Sequence, residues 1–167
     1  TELAAPAVAP DGVLTLPAVA GTLATTADVA AVVTGKILQV VQASTSATVT
    51  TTSTSYVTTG LTATITPSAA TSKILILNTI AARNASAGVS YFTLFRGTVS
   101  GTNLGPAEGM VTIYPSIQAG QNLTYLDSPN TTAAQIYTVG MKAGAGVTMS
   151  VNIYNSLSSI ILMEVAA

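Results

Sequence analysis

From Lys36 onward the chain is a succession of short stretches rich in β-branched and aromatic residues, most of them closed off by Gly, Pro, Asn or Ser. This rhythm restricts it to an all-β fold. The stretches are KILQVVQA (36–43), TVTTTSTSYVTTG (48–60), LTATITP (61–67), KILILNTIA (73–81), VSYFTLFR (89–96), MVTIYP (110–115), NLTYLD (122–127), QIYTVGMK (135–142), VTMSVNIY (147–154) and SIILMEV (159–165). Strands so closely spaced predict an antiparallel β-sandwich of jelly-roll type over residues 36–167. Glycines at 97, 101, 105 and 109 break any regular element between Arg96 and Met110, so that segment is expected to be a long loop.

The strands differ in how many faces they must hide. Over 147–154, Val147, Met149, Val151 and Ile153 alternate with Thr148, Ser150, Asn152 and Tyr154, the pattern of one dry and one wet face. Three other strands are apolar on both sides. Ile74, Ile76 and Ile80 oppose Leu75 and Leu77; Ile160 and Leu162 oppose Ile161, Met163 and Val165; Leu38 and Val40 oppose Ile37 and Val41. A two-layer sandwich buries one face of each sheet, so the second face of these strands needs another cover, either long loops of the same chain or neighbouring subunits.

Composition points to what that cover is. Charged residues make up only 7% of the 167 residues, where soluble domains average about 25%. No apolar run reaches the ~18 residues of a membrane-spanning helix. Aromatics are 5% with no Trp, too few for the girdles of a membrane barrel. Membrane insertion is therefore not expected, and burial against other subunits is. Leu75, Leu77, Ile161 and Met163 are the expected interface residues of the sandwich, with strands 37–41, 74–80 and 160–165 in one sheet. A net charge of −1 without a Lys/Arg cluster gives no footprint for nucleic acid.

The segment VLTLPAVAGTLATTADVAAVVTG (13–35) carries one ionisable group, Asp28. Leu14 and Leu16 alternate before Pro17, and TTAD (25–28) has the spacing of a capping box. Val29, Val32 and Val33 then fall at i, i+3 and i+4, predicting a helix over about 26–33. Two turns are unstable alone, so three copies are expected to pool their valines around a shared axis. Residues 13–35 read as a trimerising strand-helix neck, and 1–12 as a flexible anchor to other proteins.

LTLPAVAGTLATTADV (14–29) resembles the segment that precedes the terminal domain in tail-fibre proteins of tailed bacteriophages. GKILQVVQ, TSTSYVTTGLTATITPSAATSKILIL, YLDSPNTTAAQIYTVGMK and the closing IILMEVA are similar to C-terminal fibre domains. The resemblance implies a parallel homotrimer in a virion, a β-sandwich knob at the distal end and a part in host attachment; weak multivalent binding of a host-surface glycan is the expected mode. A purely structural decoration, capsid or baseplate protein seated through residues 1–12 is the alternative. It transfers no binding residues.

Catalysis is disfavoured by inventory. Without His or Cys, neither Ser-His-Asp nor Cys-His chemistry can be built, and no thiolate or imidazole metal site or cofactor is expected. Glycoside hydrolysis needs two carboxylates about 5–9.5 Å apart, and Glu108 with Asp127 is the one pair to weigh. Binding must fall to loops that offer an aromatic face beside amides and hydroxyls. Tyr154 and Asn155 leave the clearest alternating strand, Asp127 and Asn130 frame an Asp-Ser-Pro-Asn turn near Tyr125, and Tyr114 precedes Pro115 at a strand exit. These six are the candidate receptor-binding residues. An Asx-turn role for Asp127 and edge packing for the tyrosines are the competing readings.

Overall fold

The computed structural model describes residues 36–115 and 117–167. The anchor 1–12, the neck 13–35 and its valines Val29, Val32 and Val33 lie outside the described residues. The strands are β1 (Ile37–Thr45), β2 (Val49–Thr51), β3 (Val57–Ile65), β4 (Lys73–Asn84), β5 (Ser90–Arg96), β6 (Thr102–Asn103), β7 (Val111–Ile113), β8 (Gln118–Asp127), β9 (Gln135–Ala143), β10 (Met149–Val151) and β11 (Ser158–Val165).

Every pairing is antiparallel, and two sheets result. In the first, β11 pairs with Lys73–Thr79 of β4 and β10 with Ala82–Asn84, so β11 and β10 form one interrupted ribbon. β1 and β2 flank that ribbon in the same way, and β8 closes the other side of β4. The second sheet runs β3-β9-β5, with β6 and β7 both pairing β5. Counting eight ribbons in chain order, the sheets read 1-8-3-6 and 2-7-4-5. That is the interleaved double Greek key of a jelly roll, as the strand pattern predicts, and β1, β11 and β4 are neighbours in one sheet as expected.

The core lies between the sheets. Ile74, Ile76, Ile80, Ile160 and Leu162 of the first sheet meet Leu61, Ile65, Phe92, Leu94, Tyr137, Val139 and Met141 of the second, all buried. Each such side chain stabilises the fold by about 1.5–3 kcal/mol. Because side chains alternate, fixing Ile74, Ile76, Ile160 and Leu162 inward turns Leu75, Leu77, Ile161 and Met163 outward. There they are only half-buried.

Three local departures from the sequence reading have clear causes. Gly60 does not end a strand: it sits inside β3 with φ 81 where the register to β9 slips, a bulge that the missing side chain permits. The 97–109 segment is a loop but contributes the two-residue β6. It lies over the outer face of the second sheet, where Thr93 donates to Asn103 at 2.7 Å and Tyr56 packs edge-on to Phe95 at 5.4 Å. Finally, the strand expected over 147–154 ends at Val151, and the chain swings out as a short 3-10 turn at Ile153–Asn155 before β11.

Candidate functional site

The outer face of the first sheet is graded along its strands. Val40, Met163, Leu75 and Leu126 stand in register across four strands, an apolar row. Val40 is 56% exposed and Leu126 50%. The next row is Gln42, Ile161, Leu77 and Thr124, and the one after it Ser44, Ser159, Thr79 and Asn122. Further along, Ala81 faces Gly120 and Arg83 faces Gln118 and Ser150. The face thus passes from apolar at the end where Lys36 joins β1 to polar at the opposite end. Lys73 and Arg83 mark its two ends, roughly 33 Å apart at a strand rise of ~3.3 Å per residue, and no carboxylate among the described residues turns onto it.

The 152–157 excursion rises at the polar end, and a buried residue drives it. Asn152 is fully buried with φ 56 and ψ 33. Its N–H donates to Ala81 O at 2.8 Å and its Nδ2 to Ala47 O at 3.0 Å; its Oδ1 accepts from Ser158 Oγ, and its carbonyl from Thr48 Oγ1 at 2.9 Å. With every polar group satisfied, Asn152 holds a left-handed turn that Asn tolerates. Two residues later Tyr154 has φ 57 and Asn155 φ 59. For tyrosine this backbone costs about 1–3 kcal/mol, and it leaves the side chain 80% exposed. Ile153 and Ser156, on either side, line a cleft of about 290 Å³ with Ala81, Gly120 and Gln118.

The six expected binding residues do not form one site. Tyr154 and Asn155 lie in the excursion, exposed. Tyr114, 62% exposed, follows β7 just before β8 begins, whereas Asn130, exposed with φ 53, follows its end. Ten residues of strand, about 33 Å, separate those two positions. Tyr125 faces the sandwich interior opposite Ile76 and packs on the core; it lines a cleft of about 300 Å³ with Leu104, Met110 and Val111.

Asp127 is a correction. Its side chain is buried, with Oδ2 accepting from the Tyr137 hydroxyl at 2.7 Å and lying 3.2 Å from Arg96 Nε. These bonds tie the first sheet to the second, so the carboxylate is neither offered to a receptor nor used to close an Asx turn. Burial, then the hydrogen bond to Asp127, pushes the Tyr137 hydroxyl far above its ordinary pKa. The two acids weighed for hydrolysis have different partners: Glu108 meets Lys142 at 3.1 Å, whereas Asp127 is held by Tyr137 and Arg96. Lys142 in turn lies over the rings of Tyr56 and Tyr91, at 5.1 and 4.9 Å. Among the described residues no group of three metal-ligating side chains occurs.

Sequence reasoning missed Asn152, Arg83, Gln118 and Gly120. Asn152 sits at a wet position of the alternating pattern, and burial of a polar hub leaves no periodic signal. A glycine inside an otherwise strand-like run at 118–127 was the available clue to the cleft.

No family model matches the chain, and no curated protein matches it in sequence. Among solved structures it is similar to a chain of the Bacillus endospore appendages, described as a family of disulfide-linked pili, at 14% identity and TM-score 0.34 over 77% of this chain and 89% of that one. It is also similar to VP2 of the infectious bursal disease virus subviral particle, at 12% identity and TM-score 0.38 over 78% of this chain and 39% of that one. Likeness at this level carries no functional argument.

Proposed function

We propose that the chain is a structural protein of a virion, a trimeric tail fibre or fibre tip that holds host-surface glycan through several weak sites. The observation that carries the assembly half is the row Val40, Met163, Leu75 and Leu126, an apolar line across a whole sheet face in a chain that is only 7% charged. Exposed apolar faces of this kind mark protein–protein contacts, which supports reading it as the place where copies meet. The resemblance of residues 14–29 to fibre necks supports threefold association, with Val29, Val32 and Val33 at the axis and Leu75, Leu77, Ile161 and Met163 between knobs. Residues 1–12 then join other virion proteins.

The attachment half is supported by position. The exposed Tyr154 and Asn155 lie toward the end of the face away from Lys36, so three copies joined at the apolar end present three such turns together. Tripled weak sites hold a surface through effective concentration. Labelled chain added to host cells tests this: adhesion is expected, reduced by Tyr154→Ala with the association state unchanged and without release of sugar fragments. Failure of the wild type to adhere, with electron microscopy placing the chain on the capsid shell, would move the assignment to the decoration role.

A further inference from the structure

We infer that the trough over Ala81 and Gly120 is a binding cleft for an acidic saccharide, whose carboxylate is met by Arg83. The inference rests on the attachment reading and names the ligand class of that site. Gly120 carries the first observation. A glycine weakens a strand unless a turn, a crowded neighbour or a close-approaching ligand requires it. Gly120 has no positive φ, and among the described residues a Cβ built on it would meet only Thr79 Cγ2, at 4.0 Å. Those residues make no demand for glycine here. What its absent side chain creates, with the methyl of Ala81 opposite, is the floor of the 290 Å³ cleft walled by Ile153 and Ser156.

The second observation is charge. All three carboxylates among the described residues are engaged: Glu108 by Lys142, Asp127 by Arg96 and Tyr137, Glu164 by Ser68 and Gln39. Arg83 is exposed on the same face, in register with Gln118, and has no carboxylate partner among the described residues. Gln118 lines both the trough and the adjoining cleft of about 230 Å³ that Arg83 shares, so the two form one path. A bare floor suits the C–H face of a sugar ring, the Gln118 amide and Ser156 hydroxyl suit its hydroxyls, and a guanidinium takes a carboxylate two bonds at a time. Such a surface favours an acidic sugar over a neutral one.

The test uses the full chain with oligomers of alginate, a polyuronate, and with neutral dextran, by titration calorimetry. Alginate should bind and dextran should not. Arg83→Gln and Gly120→Leu should each weaken alginate binding by about tenfold or more, the loss of one charged hydrogen bond or of the floor itself, at unchanged melting temperature. If Gly120→Leu lowers the melting temperature, Gly120→Thr takes its place. Absence of alginate binding, equal binding of dextran, or binding that Arg83→Gln abolishes but the Gly120 variants leave intact would each overturn the inference. The last result would mean surface charge alone. Adhesion to host cells without alginate binding would overturn this inference and leave the attachment reading standing; alginate binding without adhesion would do the reverse.

Discussion

Two residues show how polar groups set this fold's particulars. Tyr154 stands in a left-handed backbone with its side chain largely exposed. Tyr154→Gly should therefore keep or raise stability, by up to about 1 kcal/mol as strain relief offsets added chain entropy, while host-cell adhesion falls. A drop in the denaturation midpoint would show that the ring is packed instead. Glu164 is the opposite case, a fully buried carboxylate. Its Oε1 accepts the N–H and hydroxyl of Ser68 at 2.7 and 2.6 Å, and its Oε2 accepts Gln39 Nε2 at 2.6 Å. Burial pushes the carboxyl up, but these bonds and one from Ser72 outweigh it and hold it down at about 2, from 4.5. A depressed folded value means that the contribution is complete above 4.5 and is lost as pH falls through about 2. Urea titrations should find Glu164→Gln about 2–3 kcal/mol less stable than wild type at pH 7, with the gap closing toward pH 2; a gap independent of pH would contradict the assignment.

At the scale of elements, the doubly apolar strands carry the account. Replacing Leu75 or Ile161 with Asp puts an unpaired charge on the outer face without touching the core. If three copies bury that face, association should weaken by several kcal/mol per interface, seen as dissociation on dilution. Trimers of unchanged stability in both variants would show that the face is not the interface. These strands were readable because apolar residues on both faces leave a continuous apolar run, and the one-sheet arrangement of β1, β11 and β4 was readable from that shared pattern. The excursion at 152–157 was not. VTMSVNIY alternates like a strand to its last residue, yet Asn152 finds four hydrogen-bond partners on three other segments, and such long-range satisfaction leaves no local trace. Asp127 illustrates the same limit: its turn-like neighbours suggested a loop role, whereas Arg96 and Tyr137, distant in sequence or on the next strand, claim the carboxylate.

At the scale of the whole molecule, one sheet face of the jelly roll changes character along its strands. The end nearest Lys36 is apolar, and the far end carries the trough and the exposed tyrosine turn. The 97–110 loop covers part of the second sheet's outer face, around Thr93 and Phe95, while the first sheet's outer face carries the apolar row. If this surface joins copies of the chain, sedimentation of the purified full chain at micromolar concentration will show it. A trimer is the predicted result, and a stable, soluble monomer would contradict it.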